Sequence, residues 1–254
     1  MKTSTKLLFG FLTLVILIIL STIIVVRIYY EGTKKGHNLP DFKNVHTVTT
    51  TEKTIPDINK LNVNFSCRLY YKQSSNSKLL IKTNSKSSFK KTKFNVNNGQ
   101  LDISYEGSHS FGDIIEIWVN SDSLNYIKLK NGVYFETDSF NVSDCILDIY
   151  SSIVHAEMNV SNLKIKGDAK SIIKAEGKVN FLNLNSKNNS IMELTGLKAE
   201  NVTVKASGNS NIVVDATNYM TVDIKGKSKL KYSGDPQINI INSEQNAKIE
   251  KIVP

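Results

Sequence analysis

Short runs in which apolar and polar residues alternate recur along most of the chain, and from residue 127 they recur at intervals of about 20 residues. The runs are Ile-Lys-Leu-Lys at Ile127, Leu-Asp-Ile-Tyr at Leu147, Leu-Lys-Ile-Lys at Leu163, Leu-Asn-Leu-Asn at Leu182, Val-Thr-Val-Lys at Val202, Val-Asp-Ile-Lys at Val222 and Ile-Asn-Ile-Ile at Ile238. Alternation with a period of two indicates strands, and a regular repeat of this length is typical of a solenoid. The pattern predicts an all-β fold, a parallel β-helix over residues 127–241.

Each unit carries a second alternating run after the first, and corners rich in Gly, Asn and Ser separate the two. Ile173, Met192 and Ile212 occupy matching positions in three successive units. A single coil cannot bury its inward side chains, whereas stacked coils share one core. We therefore predict that these three residues form one vertical file. Strands at this spacing would also fit an antiparallel sandwich, but the alignment of whole two-strand units favours the solenoid.

The N-terminal part of the chain is different in character. Residues 7–26 contain no charged side chain and are long enough for one transmembrane helix, with Lys2 and Lys6 before them and Arg27 after them. We see no small-x-small cleavage site, so an uncleaved signal anchor is predicted. The positive charges favour a cytoplasmic N-terminus, residues 1–6, and an extracytoplasmic C-terminal domain.

Three further segments complete the predicted organisation. Residues 27–44 have no apolar period and are interpreted as a linker. Residues 45–126 contain less regular strands and are interpreted as an irregular β region that caps the solenoid. Residues 242–254 form a charged C-terminal tail, which would protect the other open end from pairing with other chains.

Composition narrows the class of partner. The net charge is +9, carried almost entirely by lysine, and no nucleic-acid-binding motif is present, so nucleic acid is not expected as a partner. Cys67 and Cys145 are the only cysteines, and their spacing fits no zinc site. The two thiols could pair in an oxidising compartment, or each could fill a strand position.

Motifs of catalysis are missing from the sequence. It contains no nucleophile elbow, no phosphate-binding loop and no calcium repeat. Ser108, His109 and Asp113 lie close together, but in a stretch with the composition of an ordinary loop. In our alignment of the coils Asp148 lies between Lys128 and Lys164, and no two carboxylates adjoin for acid–base work. We predict no catalytic residue, no metal site and no cofactor.

The fourth position of each unit suggests a binding surface. In the alignment a file of outward residues contains four lysines and one tyrosine: Lys130, Tyr150, Lys166, Lys205 and Lys225. Such a basic stripe could hold an anionic glycan or another envelope polymer through repeated weak contacts. The alternative is a solubilising lysine face on a β-rich protein.

Several phrases of the sequence resemble a known family. "FKKTKFNVNNGQLDISYEG" (residues 89–107) is similar to the family's early stretch, and "VDIKGKSKLKYSGDP" (residues 222–236) resembles its closing phrase, with Tyr232, Gly234 and Pro236 in place. The family is the putative auto-transporter adhesin, head-GIN domain family, and the likeness covers residues 45–241. Its corners commonly read Ser-Gly-Ser-Gly, and this chain departs from that pattern. The resemblance implies a β-helical bacterial envelope domain and transfers no catalytic residue.

These observations together predict a single-pass membrane protein that displays a β-solenoid outside the cytoplasm. Its predicted role is a non-enzymatic structural or binding module, adhesin-like in function. Two alternatives remain open, an envelope polysaccharide-active enzyme on the same scaffold and a membrane-anchored envelope sensor or regulator.

Overall fold

The alternating runs fold into strands, many of which continue through the corners of the coil. In this computed structural model the described residues are 49–108 and 112–252. They form β1 (Thr49–Thr54), β2 (Lys60–Val63), β3 (Arg68–Gln73), β4 (Lys78–Thr83), α1 (Lys86–Lys91), β5 (Thr92–Asn97), β6 (Gln100–Tyr105), β7 (Ile115–Ser121), β8 (Tyr126–Lys130), β9 (Tyr134–Tyr150), β10 (Ile153–Asp168), β11 (Ile172–Ser186), β12 (Ile191–Ala206), β13 (Asn211–Ile224), β14 (Lys229–Ser233), β15 (Gln237–Ser243) and β16 (Lys248–Lys251).

The predicted parallel β-solenoid is confirmed by the pairing of the strands. From β8 onward every strand pairs in parallel with the strand one coil away, and the chain winds through one continuous sheet. Val154, Ile173, Met192, Ile212 and Leu230 are successive register partners. Their numbers differ by 19, 19, 20 and 18 residues, so the coils vary slightly in length. The predicted file of Ile173, Met192 and Ile212 is therefore confirmed, and all three side chains are fully buried.

Each coil has three faces. In the coil of β10 the first face comprises residues 153–156, the short second face residues 158–160 and the third face residues 162–168. Register shifts occur near the end of the first face, between Ala156 and Met158 and between Lys174 and Gly177. These irregularities absorb the differences in coil length, so the residues on either side of each shift remain paired with their partners in the adjacent coils.

A file of serines closes the corner between the third and the first face. Its members each precede a first-face strand and are buried: Ser152, Ser171, Ser190, Ser210 and Ser228. Ser171 Oγ donates to the Ile149 carbonyl oxygen at 3.0 Å, and Ser190 Oγ donates to the Gly167 carbonyl oxygen at 3.0 Å. These hydroxyls add a side-chain hydrogen bond to carbonyl groups of the turn, and the Gly167 oxygen also accepts from the Lys187 N–H at 2.9 Å. In the last corner, Ser228 Oγ is buried and has no hydrogen-bond partner among the described residues.

The N-terminal end of the solenoid has a more complex connection. β2 lies between β6 and β8, and β3 lies between β7 and β9, all in parallel. One turn of the solenoid is called a rung. The first rung of the chain, formed by β2 and β3, is thus inserted between the rung of β6 and β7 and the rung that begins with β8 and β9. Antiparallel β4 then covers β7, antiparallel β1 covers β4, and β5 pairs antiparallel with β6. The short helix α1 connects β4 with β5, and its Ser88 is buried.

The predicted segments 1–6, 7–26 and 27–44, and with them the predicted transmembrane helix, lie outside the described residues. Within residues 49–108 and 112–252, no helix has the length and the apolar character needed to cross a membrane.

Candidate ligand-binding groove

The register divides the five residues of the predicted basic stripe among more than one file. Lys130 pairs with Tyr150, and Tyr150 pairs with Asp168. Lys166 and Lys205 belong to another file, in which Asn185 lies between them. The alignment that joined all five residues into one line was therefore wrong.

The sequence alignment was displaced by two residues at three steps between coils, one of them the step from Val222, which pairs with Ile240 rather than with Ile238. Leu147 pairs with Ile165 rather than with Leu163, and Lys205 pairs with Asp223 rather than with Lys225. A slip of two residues leaves every side chain on the same side of the sheet. For this reason the alternation of apolar and polar residues did not reveal the error.

The lysines of the corrected file are interleaved with acidic and amide side chains. From β8 to β15 the file reads Lys128, Asp148, Lys166, Asn185, Lys205, Asp223 and Asn242. Asp148 does lie between two lysines, as expected, but the second is Lys166 and not Lys164. Lys225 Nζ approaches Asp223 Oδ1 at 3.9 Å. The arrangement is an alternating ladder of charges and not a continuous basic stripe.

A groove of about 410 Å³ runs along the same third face, one and two files away from this ladder. One of its files reads Asp144, Asn162, Phe181, Asn201 and Tyr219, and the other reads Ile146, Lys164, Asn183, Thr203 and Thr221. Phe181 is 58% exposed and Tyr219 is 38% exposed. Asn201 lies between the two rings, so they are two rungs apart, or about 9.6 Å at the usual strand spacing.

The polar side chains of the groove fall into two groups. Asn162 Nδ2 donates to Asp144 Oδ1 at 2.9 Å, and Asn201 Nδ2 approaches the Asn180 carbonyl oxygen at 3.4 Å. Asn183, Thr203 and Thr221 make no side-chain hydrogen bond within the described part of the chain. Their amide and hydroxyl groups are therefore available to a ligand on three successive rungs.

The groove is electrically balanced. Asp144 and Lys164 are the charged residues among its lining side chains, and they carry opposite charges. The groove combines exposed rings, free hydrogen-bonding groups and a net charge near zero. This combination fits an uncharged polar ligand that offers both apolar patches and hydroxyls.

Phe181 and Tyr219 were not among the predicted site residues, although the sequence contains a signal for both. Phe181 precedes the inward Leu182 by one position and Tyr219 precedes the inward Met220, so both occupy outward positions. The neighbouring coils have Asn or Gln at the same place in the file. Large aromatic residues at outward positions of an otherwise polar file could have marked this surface.

A second aromatic cluster lies on the first face. Tyr70 stacks on Trp118 with ring centroids 4.9 Å apart, and Lys82 Nζ lies 4.5 Å from the Trp118 ring. Tyr134 Oη lies 3.3 Å from His155 Nδ1. Burial, together with the neighbouring Lys174 ammonium, lowers the pKa of His155, so the imidazole stays neutral at pH 7.

The two cysteines are buried and unpaired. Burial raises the pKa of Cys145 to about 12 and also raises the pKa of Cys67, so neither thiol is activated as a nucleophile. Asp113, of the Ser108–Asp113 stretch, accepts a hydrogen bond from Ser88 Oγ at 2.5 Å, while His109 lies outside the described residues. Among residues 49–108 and 112–252, no group of three or more His, Cys, Asp or Glu side chains is placed to hold a metal ion.

Comparison with family models agrees with the fold and defines the class of protein. The model described as "Putative auto-transporter adhesin, head GIN domain" matches residues 57–236. The chain belongs to this family, as the resemblance in its sequence indicated.

Solved structures of low sequence identity share the fold. A putative adhesin from Bacteroides fragilis is 20% identical, with a TM-score of 0.74 over 80% of this chain and 96% of that chain. A putative adhesin from Parabacteroides merdae is 15% identical, with a TM-score of 0.59 over 81% and 96% of the two chains. A putative lipid binding protein from Parabacteroides distasonis is 18% identical, with a TM-score of 0.57 over 81% and 96%. The comparison with curated proteins finds no match.

Proposed function

We propose that this protein is a non-enzymatic, adhesin-like binding module of the bacterial cell envelope, and that the groove of the third face holds an extended, uncharged glycan. The observation that carries the proposal is the pair of exposed rings, Phe181 and Tyr219, beside free polar groups in one groove. Sugar rings have apolar faces that stack on aromatic side chains, and their hydroxyls bond to amides and hydroxyls.

The geometry favours a polymer over a small ligand. Register-paired residues repeat along the groove at the rung spacing, and the two aromatic rings are two rungs apart. A disaccharide unit of an extended glycan spans a comparable length, so successive units could stack on Phe181 and on Tyr219. Repeated weak contacts of this kind give a useful affinity through multivalency.

A glycan fits the groove better than an acyl chain does. A structural neighbour is described as a putative lipid binding protein, and an apolar ring pair could contact a lipid. An acyl chain, however, would leave the side chains of Asn183, Thr203 and Thr221 without partners, at a cost in desolvation. The polar lining therefore supports a hydroxyl-rich ligand.

The first test of this proposal is binding to an array of neutral and anionic polysaccharides. We expect wild-type protein to bind neutral extended glycans, and Phe181→Ala to weaken that binding at least about tenfold, which corresponds to about 1.4 kcal/mol. Phe181→Tyr is the matched control and should retain binding, because it keeps the ring. Phe181 is largely exposed, so neither variant should disturb folding.

A second variant separates the groove from the lysines of the original prediction. Lys166, Lys205 and Lys225 changed together to Ser should leave neutral-glycan binding unchanged. Loss of binding to an anionic glycan in this variant, with retention in Phe181→Ala, would move the site to the charge ladder and contradict the groove. Failure of the wild-type protein to bind any glycan would contradict the proposal as a whole.

We also propose that residues 7–26 anchor the protein in a membrane and that the solenoid lies outside the cytoplasm. The support is the uncharged apolar segment and the family's description as an auto-transporter adhesin domain. We expect the protein to sediment with membranes and to be digested by protease added to intact cells or spheroplasts. Deletion of residues 7–26 should release it to the soluble fraction, and persistent membrane association after the deletion would contradict the anchor.

A further inference from the structure

The C-terminal end of the solenoid exposes the apolar residues that continue its core. Met220, Val222 and Leu230 are fully buried in β13 and β14. The last rung places Ile238, Ile240 and Ile249 directly over them in register. These three isoleucines are only partly covered, and Ile240 is 52% exposed. The neighbouring Ile241 is 66% exposed.

The backbone of this rung also has an unused edge. β15 pairs with β13 and β16 pairs with β14. Within residues 49–108 and 112–252, no strand pairs with the opposite edge of β15 or of β16. Free N–H and C=O groups beside exposed apolar side chains form a template for pairing with another strand.

The two ends of the solenoid are unlike each other. At the N-terminal end the rungs are covered by antiparallel β4, by β1 and β5, and by α1. β1 has the sequence Thr-Thr-Thr-Glu-Lys-Thr and no buried residue, so it offers a polar edge. Head-to-tail stacking would place the apolar C-terminal rung on this polar cap. Pairing of two C-terminal ends instead buries apolar surface on both sides and closes as a twofold dimer.

The sequence of β16 is complementary to itself in an antiparallel arrangement. A twofold axis at Ile249 would place Ile249 opposite Ile249 of the second copy. The same axis would place Lys248 of each copy opposite Glu250 of the other. Both charged side chains are exposed in the single chain, and Glu250 Oε2 lies 3.7 Å from Lys231 Nζ of the adjacent rung. This exposed pair leaves the outer side of the Glu250 carboxylate open to a lysine of a second copy. Cross-strand pairs of opposite charge stabilise such a ladder.

β15 is less suited to continuous pairing. The register shifts between Val222 and Asp223 of β13, which leaves Ile241 as an additional residue in β15. A bulge of this type bends the strand away from a regular ladder. The residues exposed there, Ile240 and Ile241, are instead available for side-chain packing against the second copy.

From these observations we infer that the C-terminal rung is an interface for a second copy of this chain, formed by antiparallel pairing of β16 with β16. The interface is separate from the groove and does not depend on the proposed function. It would join two solenoids end to end and display two grooves on one assembly. Two linked sites would raise the apparent affinity for a polymeric ligand.

The test is the mass of the full chain in solution, measured by sedimentation velocity over a dilution series in a mild detergent that keeps the apolar N-terminal segment soluble. We expect a dimer that dissociates on dilution. Glu250→Lys or Lys248→Glu alone should raise the dimer dissociation constant about tenfold, because two attractive pairs become repulsive. The double variant K248E/E250K should restore the dimer, since it exchanges the charges and recreates both pairs.

Glu200→Lys is the matched control. It reverses an exposed charge on β12, away from the end of the solenoid, and should leave the dissociation constant unchanged. All the exchanged side chains are exposed, and an unchanged melting curve for each variant would confirm that folding is intact. A wild-type chain that stays monomeric at every concentration would overturn the inference. A double variant whose dimer dissociation constant is as high as those of the single variants would also overturn the inference.

Discussion

Met192→Asp is expected to unfold the solenoid or to lower its free energy of unfolding by about 3–5 kcal/mol, the usual cost of an uncompensated buried charge. Met192 is fully buried, with Ile173 and Ile212 as its register partners in the coils on either side. A carboxylate there would meet apolar neighbours on both sides in a space that water cannot enter. Because the total stability of a domain is about 5–15 kcal/mol, this single change removes a large share of it.

Urea denaturation followed by the fluorescence of Trp118 measures the effect. The matched control is Thr195→Asp, which introduces the same carboxylate on the same strand at an exposed position. The control should stay close to wild type. Lowering the pH from 7 to about 4 should recover part of the loss in Met192→Asp. Burial raises the pKa of the new carboxyl, and the neutral acid that forms as the pH falls costs less to bury. Equal stability of the two variants would contradict the core file.

Gly177→Ala is expected to destabilise the protein by about 3 kcal/mol, because it combines backbone strain with overpacking. Gly177 has φ of +117°, a conformation that residues with a Cβ rarely adopt, and it lies at the corner between the first and second faces. A Cβ there would be 2.0 Å from the carbonyl oxygen of Met158 in the adjacent coil. That oxygen belongs to the backbone of a neighbouring rung, so it cannot move aside without displacing the rung.

Gly196→Ala provides the comparison for this prediction. Gly196 lies near the same corner one coil further on, but its Cβ would meet the side chain of Glu176, with the nearest atom, Cγ, at 2.8 Å. Glu176 is exposed and can change its rotamer, so the expected loss of stability is small. Thermal melting of both variants measures the difference. If Gly177→Ala and Gly196→Ala had the same melting temperature, the corner would have room for a side chain.

The groove illustrates how far the sequence could predict a site. The inward and outward assignment of Phe181 and Tyr219 follows from alternation and was available in the sequence. Their relation to each other was not, because it depends on how many residues each corner contains. The number of residues in the corners is also the reason why Lys205 pairs with Asp223 and not with Lys225, so that the predicted lysine stripe does not form.

The order of the strands at the N-terminal end of the solenoid could not be predicted from the sequence repeat. Insertion of the rung of β2 and β3 between β6–β7 and β8–β9 brings together segments far apart in the chain. The short strands of β2, β3, β6 and β7 carry the right alternation, but alternation does not specify a partner. Only burial of a shared core selects the order of these rungs.

The sequence by itself determined the class of fold, the length of the coil to within one or two residues, and the core file of Ile173, Met192 and Ile212. Those properties follow from two periodicities, a period of two within strands and a repeat of about twenty residues along the chain. Both are local features of the amino-acid sequence. The tertiary structure alone decided the register between coils, the order of the first rungs and the composition of the outward files. A shift of two residues leaves the same side chains pointing inward and outward, so the alternation is unchanged. Only packing against the neighbouring coil distinguishes one register from the next.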